Sequence, residues 1–386
     1  MTSESYKQVC EKILDPLDIK INGNRPWDMQ VHNPETYKRI ITQGSIGLGE
    51  SYMDGWWDEE ELDQFFYRIT KKLPRIKLAD MKLILRVLGS KFVNFQNKKY
   101  SKRVAEKHYD LDNDFYRYML DPKYMQYTCG YWKNAKTLEK AQVDKLNLIC
   151  KKLHLPSKYD KKIRERILEF GCGFGGFANF ATKNYKCEVV AYNISKEQVK
   201  HAREINKNLP VEIKETDYRE AEIKEYKKHF HKIASIGMCE HVGPKNYRKF
   251  MKLSDYCLKD GGLFLLHTIG RSTSARQGQS DAWTNKYIFP GGHLPSVAQI
   301  TKAAEGLFRL EDFQNIGYDY DKTLMAWFEN FDKNWPKFKD KLDDRFYRMW
   351  KYYLLSCAGA FRSGSLSLFQ FVFSKGTLPG TYQGVR

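Results

Sequence analysis

Ile167-Leu168-Glu169-Phe170-Gly171-Cys172-Gly173-Phe174-Gly175-Gly176-Phe177 opens apolar, turns through closely spaced glycines and runs on as Ala178-Asn179-Phe180-Ala181. The opening predicts a buried strand and the continuation a helix. Glycines at a strand–turn–helix junction let a nucleotide-like ligand lie against bare backbone at the top of a parallel sheet. Gly-x-Gly alone fits any tight turn. Here, however, Glu169 precedes the glycines at the strand end, where a carboxylate can reach a ligand's positive group. A dinucleotide-binding turn would place its last glycine two residues later and an acid at the end of the next strand. That strand, Glu188-Val189-Val190-Ala191-Tyr192-Asn193-Ile194, ends in an amide, which argues against a dinucleotide.

Outward from the turn, apolar strands alternate with helices. After 188–194 come a helix near Lys196 to Asn208, a strand over 211–217, a strand over 232–238, a helix from Pro244 to Leu258 and a strand over 262–269. This alternation predicts an α/β fold, a parallel sheet with helices on both faces. Ligands then bind outside the carboxyl ends of the strands, where Asp217, Glu240 and His267 fall. Tyr318 and Tyr320 follow a further strand, and Leu366 to Phe373 reads as a last one. Taken singly, each polar residue is a satisfied structural group. Together at one edge, Glu, His, Tyr and Cys make an acid–base or anion-binding cluster. The run Tyr124-Met125-Gln126-Tyr127-Thr128-Cys129-Gly130-Tyr131-Trp132 interleaves aromatics with polar residues, which suits a pocket wall better than plain core.

At 386 residues the chain is long for one domain and suggests a large domain with a smaller one. No stretch approaches the roughly 18 apolar residues of a membrane span, and Met1 to Asp15 lacks a signal-peptide core, so a cytoplasmic protein is expected. Eight cysteines form no Cys-x-x-Cys pair, so free thiols and no metal site are expected. The formal charge of +18 points to an anionic partner, nucleic acid or an acidic membrane; a solvated lysine-rich surface is the plain alternative. Residues 1–76 read as an accessory domain, with too many glycines between Gly44 and Gly55 for a helix and an anchor at Trp56-Trp57. Over 77–103, Met81, Ile84, Leu85, Leu88, Phe92 and Phe95 share one helical face and lysines and arginines supply the rest. Such a helix fits an anionic headgroup layer, or packs as a linker on its own protein or on the second subunit of a homodimer. Residues 104–386 form the catalytic domain.

The glycine turn resembles motif I of class I S-adenosylmethionine-dependent methyltransferases. Asn193 stands where that superfamily usually has a ribose-binding acid, though an amide oxygen can still accept one hydroxyl hydrogen bond. Five further stretches, in order, are similar to the cyclopropane-fatty-acyl-phospholipid synthase family, of mycolic acid cyclopropane synthase-like type. They are Met125 to Cys129, Gly237 to Tyr247, Leu265 to Gly270, Asn285 to Gly292 and Cys357 to Arg362. The resemblance implies transfer of a methylene group from S-adenosylmethionine to the cis double bond of a phospholipid acyl chain. It further implies a bicarbonate site at Cys129, Glu240, His267, the backbone of Ile269, and Tyr320; Tyr320 rather than Tyr318 precedes the family's Asp-x-Thr-Leu-Met-Ala-Trp. Cofactor contacts carry over to Tyr127, Thr128, Gly171, Gly173, Asn193, Ile194 and Gln198, with Asp217 and Tyr218 on the adenine side. Glu169 joins them from the turn itself. The family often has Thr at the position of Asn193, so the missing acid fits it.

The chemistry agrees. An alkene that attacks the sulfonium methyl leaves a carbocation, which must lose a proton from the new methyl to a weak base held dry and close. Aromatic faces at Tyr127, Tyr131 and Trp132 can stabilise that cation by about 2 kcal/mol or more without reacting. Such an enzyme would work at the inner face of the cell membrane, peripherally bound and favouring anionic lipid. The rivals are a C- or N-methyltransferase on the same scaffold and a nucleic-acid methyltransferase. The latter would use the charge, but the chain lacks the Asn/Asp-Pro-Pro-aromatic motif common in base-amine enzymes.

Overall fold

The structure, a computed structural model, describes residues 2–72, 113–160, 164–274, 281–378 and 380–386. The helix expected over 77–103 lies outside them. In chain order the first elements are α1 (Ser3–Leu14), β1 (Gln30–Val31), α2 (Glu35–Gln43), α3 (Ser45–Met53), β2 (Trp57–Asp58) and α4 (Leu62–Lys72). Next are α5 (Asn113–Met119), α6 (Leu138–Lys152), β3 (Glu165–Phe170), α7 (Gly176–Asn184), β4 (Cys187–Asn193), α8 (Lys196–Asn206), β5 (Val211–Glu215) and β6 (Phe230–Ile236). The chain continues through α9 (Tyr247–Cys257), β7 (Leu258–Gly270), α10 (Ala282–Tyr287), α11 (Val297–Ala304), β8 (Arg309–Asn315), α12 (Gly317–Asn334), α13 (Asp344–Arg362) and β9 (Ser367–Ser374).

Two compact units result. The first comprises described residues 2–72, 281–290 and 320–366. Its centre is aromatic: Trp57 packs edge-on to Tyr52 at 5.0 Å, and Tyr352 of α13 lies 4.4 Å from Trp283. Arg362 joins Asp321 at 2.8 Å and also meets Asp63. Contrary to expectation, the glycine-rich stretch is a helix, α3. A Cβ on Gly47 would stand 2.1 Å from the Arg39 carbonyl oxygen, and one on Gly49 would stand 2.3 Å from the Trp283 ring. These glycines permit close helix packing that any side chain would prevent, and this outweighs their poor helix propensity of about 1 kcal/mol each.

The second unit is the α/β layer, built on a seven-stranded sheet in the order β5-β4-β3-β6-β7-β9-β8. The sheet is not wholly parallel: β9 runs antiparallel to both β7 and β8. Side chains of β3 alternate as a doubly covered strand requires. Ile167 packs into the core with Leu146, Ile149, Phe177 and Val199 on one face; Leu168 and Phe170 pack with Phe250, Met251 and Ile300 on the other. From β3 the chain builds outward to β5, then returns to the far side of β3 as β6. The crevice at that reversal is where an open α/β sheet binds ligands.

Candidate active site

The glycine turn opens onto this crevice. Gly171, Gly173 and Gly175 all have positive φ (80°, 53° and 80°). A Cβ at Gly171 would stand 2.7 Å from the Met238 side chain, whereas one at Gly173 would meet nothing within 4 Å. Gly171 is therefore required by the neighbouring loop. Gly173 instead leaves open backbone, which a ligand can approach.

Of the cofactor residues expected from the sequence, Gly173, Asn193, Ile194 and Gln198 are linked to one another. Asn193 Nδ2 donates to the Gly173 carbonyl at 3.0 Å and to Gln198 Oε1 at 2.9 Å. Its Oδ1 accepts from the backbone N–H of Ile194 at 2.7 Å and of Ser195 at 3.2 Å. Asn193 thus spends its amide on tying the turn to the start of α8, where the sequence suggested a hydroxyl acceptor. Ile194 is exposed beside it. Asp217 caps the next turn and accepts from Arg219 Nε at 2.7 Å, and Tyr218 packs edge-on to Phe170 and Phe250. Tyr127 packs on Tyr116, which in turn meets Phe174 of the glycine turn.

Glu169 faces the α6 side, 2% exposed, and burial lifts its carboxyl to about 8 against the pull of Lys145. Lys145 is the group that the sequence hid. It is wholly buried on α6, with Nζ donating to Thr128 Oγ1 at 2.9 Å and to Gln126 Oε1. Three residues earlier, Gln142 donates to the Thr128 carbonyl at 2.8 Å. Asp121 accepts from the backbone N–H groups of Tyr124 and Gln126 at 2.7 and 2.8 Å. Loop 124–129 is therefore fixed by buried polar groups, and burial pulls the Lys145 ammonium below its usual range while Asp121, Cys129 and Glu169 oppose this.

The second cluster lies at the carboxyl ends of β6 and β7. Glu240 sits just past β6, in a one-turn 3-10 helix over Cys239–His241. Its Oε1 accepts from the Ile269 N–H at 2.6 Å. That N–H is the Ile269 backbone donor, and it is taken up in holding Glu240. Burial raises the Glu240 carboxyl to about 7, against the effect of the Ile269 bond. His267 Nδ1 lies 3.1 Å from Gln370 Nε2 of β9. With the Gln370 amide in this orientation its nitrogen donates to Nδ1, which assigns the ring proton to Nε2. Burial and the charges of Lys145 and Lys152 keep this ring neutral. Glu240 Oε2 and His267 Nε2 are buried without a hydrogen-bond partner among the described residues, one an acceptor and the other a donor. Cys129, fully buried, donates to the Gly130 carbonyl at 3.1 Å. Tyr320 belongs to the first unit, where its ring packs on Phe361 at 4.5 Å.

Orphaned buried polar groups are costly, by about 1–3 kcal/mol each, and a bound ligand is one of the few things that explains keeping two of them at one strand edge. One acceptor and one donor match a small anion bearing a hydroxyl, and bicarbonate fits that pattern. Among the described residues no group of His, Cys, Asp and Glu is disposed to hold a metal.

A mostly parallel sheet with this strand order, a glycine turn after β3 and a polar rim at β4 and β5 define a class I S-adenosylmethionine-dependent methyltransferase. The chain belongs to the mycolic acid cyclopropane synthetase family, which residues 96–371 match. It is 46% identical over 378 residues to the cyclopropane-fatty-acyl-phospholipid synthase of Escherichia coli K12, covering 98% of this chain and 95% of that protein. A probable fatty acid methyltransferase of Pseudomonas putida is 32% identical over 280 residues, 69% of this chain and 68% of that one. Mycolic acid cyclopropane synthase CmaA1, solved with SAH and CTAB, superposes with a TM-score of 0.62 at 29% identity, covering 71% of this chain and 98% of that chain.

Proposed function

We propose that the chain transfers a methylene group from S-adenosylmethionine to the cis double bond of an unsaturated phospholipid acyl chain, forming a cyclopropane ring. The observation that carries this reading is the pair of orphaned, oppositely functional atoms, Glu240 Oε2 and His267 Nε2, buried at neighbouring strand ends in a chain of this family. The alkene carbons attack the sulfonium methyl, S-adenosylhomocysteine leaves, and a carbocation remains on the chain. One proton of the new methyl must then depart so that its electron pair can close the ring. Bicarbonate, when bound, would supply a weak base for that proton. Glu240 would accept its hydroxyl hydrogen bond and the His267 Nε2–H would donate to one of its oxygens, so the two side chains would orient it. Gly173, Asp217 and Tyr218 would hold the donor, with Asn193 and Gln198 bracing the turn and Lys145 fixing the loop that carries Thr128. The buried environment excludes the water that would otherwise trap the cation. The enzyme works at the membrane surface, where its lipid substrate resides; within the α/β unit, the buried Cys129 would border the anion site.

The test is the product, since a ring and a methyl-branched alkene have the same mass. With S-adenosylmethionine carrying a deuterated methyl, cyclopropanation keeps two of three deuterons in a ring methylene. Retention of all three in a methyl group would instead establish simple methyl transfer to the acyl chain and overturn cyclopropanation.

A further inference from the structure

On the face of the sheet covered by α9, a groove with a cavity of about 640 Å³ runs between the segment following β5 and α9 itself. Its floor is apolar, with Phe250 and Leu253 buried and Leu307 and Tyr256 beside them. Its rim is cationic. Arg219, Lys228 and Lys375 also reach it, but each has an acid of its own: Asp217, Asp260 and Asp255. Lys227 on one wall and Lys249 and Lys252 on the other are exposed and make no ion pair among the described residues. Lys249 and Lys252 are three residues apart on α9 and so share one helical face. Of the two acids at the groove, Asp255 is engaged by Lys375, which leaves Glu222 against three free lysines.

We propose that this groove binds the glycerophosphate of an anionic diacyl phospholipid, with the phosphate on Lys227, Lys249 and Lys252 and the first acyl carbons against the half-buried Leu307 and Tyr256 above the Phe250–Leu253 floor. A bare inorganic anion would use the rim and leave Leu307 and Tyr256 wet, whereas an amphiphile uses both. The proposal rests on the lipid reading for its choice of ligand and locates a contact that the +18 net charge leaves diffuse. Juxtamembrane cations gain about 1 kcal/mol each at an anionic surface, so three reversals compound.

The test compares Lys227→Glu/Lys249→Glu/Lys252→Glu with a charge-matched control, Lys183→Glu/Lys207→Glu/Lys302→Glu, also on exposed lysines of this unit. Sedimentation with phosphatidylglycerol-containing vesicles should show the groove variant weakened by about a hundredfold and the control by no more than about threefold. Equal losses in both would make the effect bulk charge and overturn the site. Calorimetry with water-soluble dihexanoyl-phosphatidylglycerol and with glycerophosphate separates the ligand sources. Equal affinity for the two would reduce the groove to a phosphate site and overturn the lipid assignment. Methyl transfer to unsaturated lipid in neutral detergent micelles should be the same in the groove variant and the wild type, showing an intact fold. If the variant loses it, Lys249→Gln/Lys252→Gln repeats the vesicle comparison without charge reversal, and unchanged binding there overturns the proposal. Failure of the wild type itself to transfer a methyl to micellar lipid would count against the lipid reading, independently of the vesicle contrast.

Discussion

Glu240 holds one oxygen on the Ile269 N–H and keeps the other buried and unmet, with its carboxyl raised to about 7. Hydrogen bonding to a bicarbonate hydroxyl, as proposed, would need the ionised form, so kcat/KM should rise with pH through about 7, and Glu240→Gln should lack that limb. At constant pH, removing carbonate should slow the wild type and restoring it should recover the rate. Glu240→Gln should lose about a hundredfold in kcat, with S-adenosylmethionine affinity by calorimetry nearly unchanged. Full wild-type activity without carbonate would make Glu240 itself the base. Single residues were unevenly legible in the sequence. The glycines and strand-end acids carry a pattern, whereas Lys145 occupies an ordinary helical position in Leu138 to Lys152, and nothing local marks it as buried. Gln370 did leave a trace: it is one amide inside the apolar run Leu368-Phe369-Gln370-Phe371-Val372, where a polar group must have a buried partner.

At the scale of elements, periodicity located every strand of the α/β unit from β3 to β7, with ends shifted by a residue or more, because apolar runs bounded by turns leave little choice. It could not tell that β9 enters antiparallel between β7 and β8, since strand direction depends on the path of the connection and leaves no mark in the residues themselves. Helix α3 shows the opposite failure, where propensity reads the chain alone and the decisive partner is another element. Gly47→Ala should gain about 1 kcal/mol in helix propensity but must push back the Arg39 carbonyl, for which overpacking costs about 1–3 kcal/mol. Net destabilisation in urea titration is expected. A stabilised variant would mean that α2 and α3 are not so closely packed.

For the molecule as a whole, stability should depend on pH through a group that takes no part in the chemistry. Glu59, in the first unit, is 6% exposed, and neither carboxyl oxygen has a partner among the described residues. Burial lifts its pKa to about 8, with Lys351 opposing. The native state then holds this proton more tightly than the unfolded chain does. Stability is fully present below the unfolded value near 4.5 and is lost as pH rises through about 8. Thermal melts from pH 5 to pH 8 should therefore fall, and Glu59→Gln should flatten that slope; an unchanged slope would place the dependence elsewhere. The placing of β9 has a consequence for how the protein is made. His267 leaves the ribosome about a hundred residues before Gln370, and between them the chain turns aside to build α12 and α13 of the other unit. A nascent chain stalled anywhere in that interval exposes the open edge of β7, with its histidine unsupported. Synthesis must reach Ser374 before the edge is covered, so the interval is one in which a holding chaperone has something to grip and a truncated message yields no working enzyme.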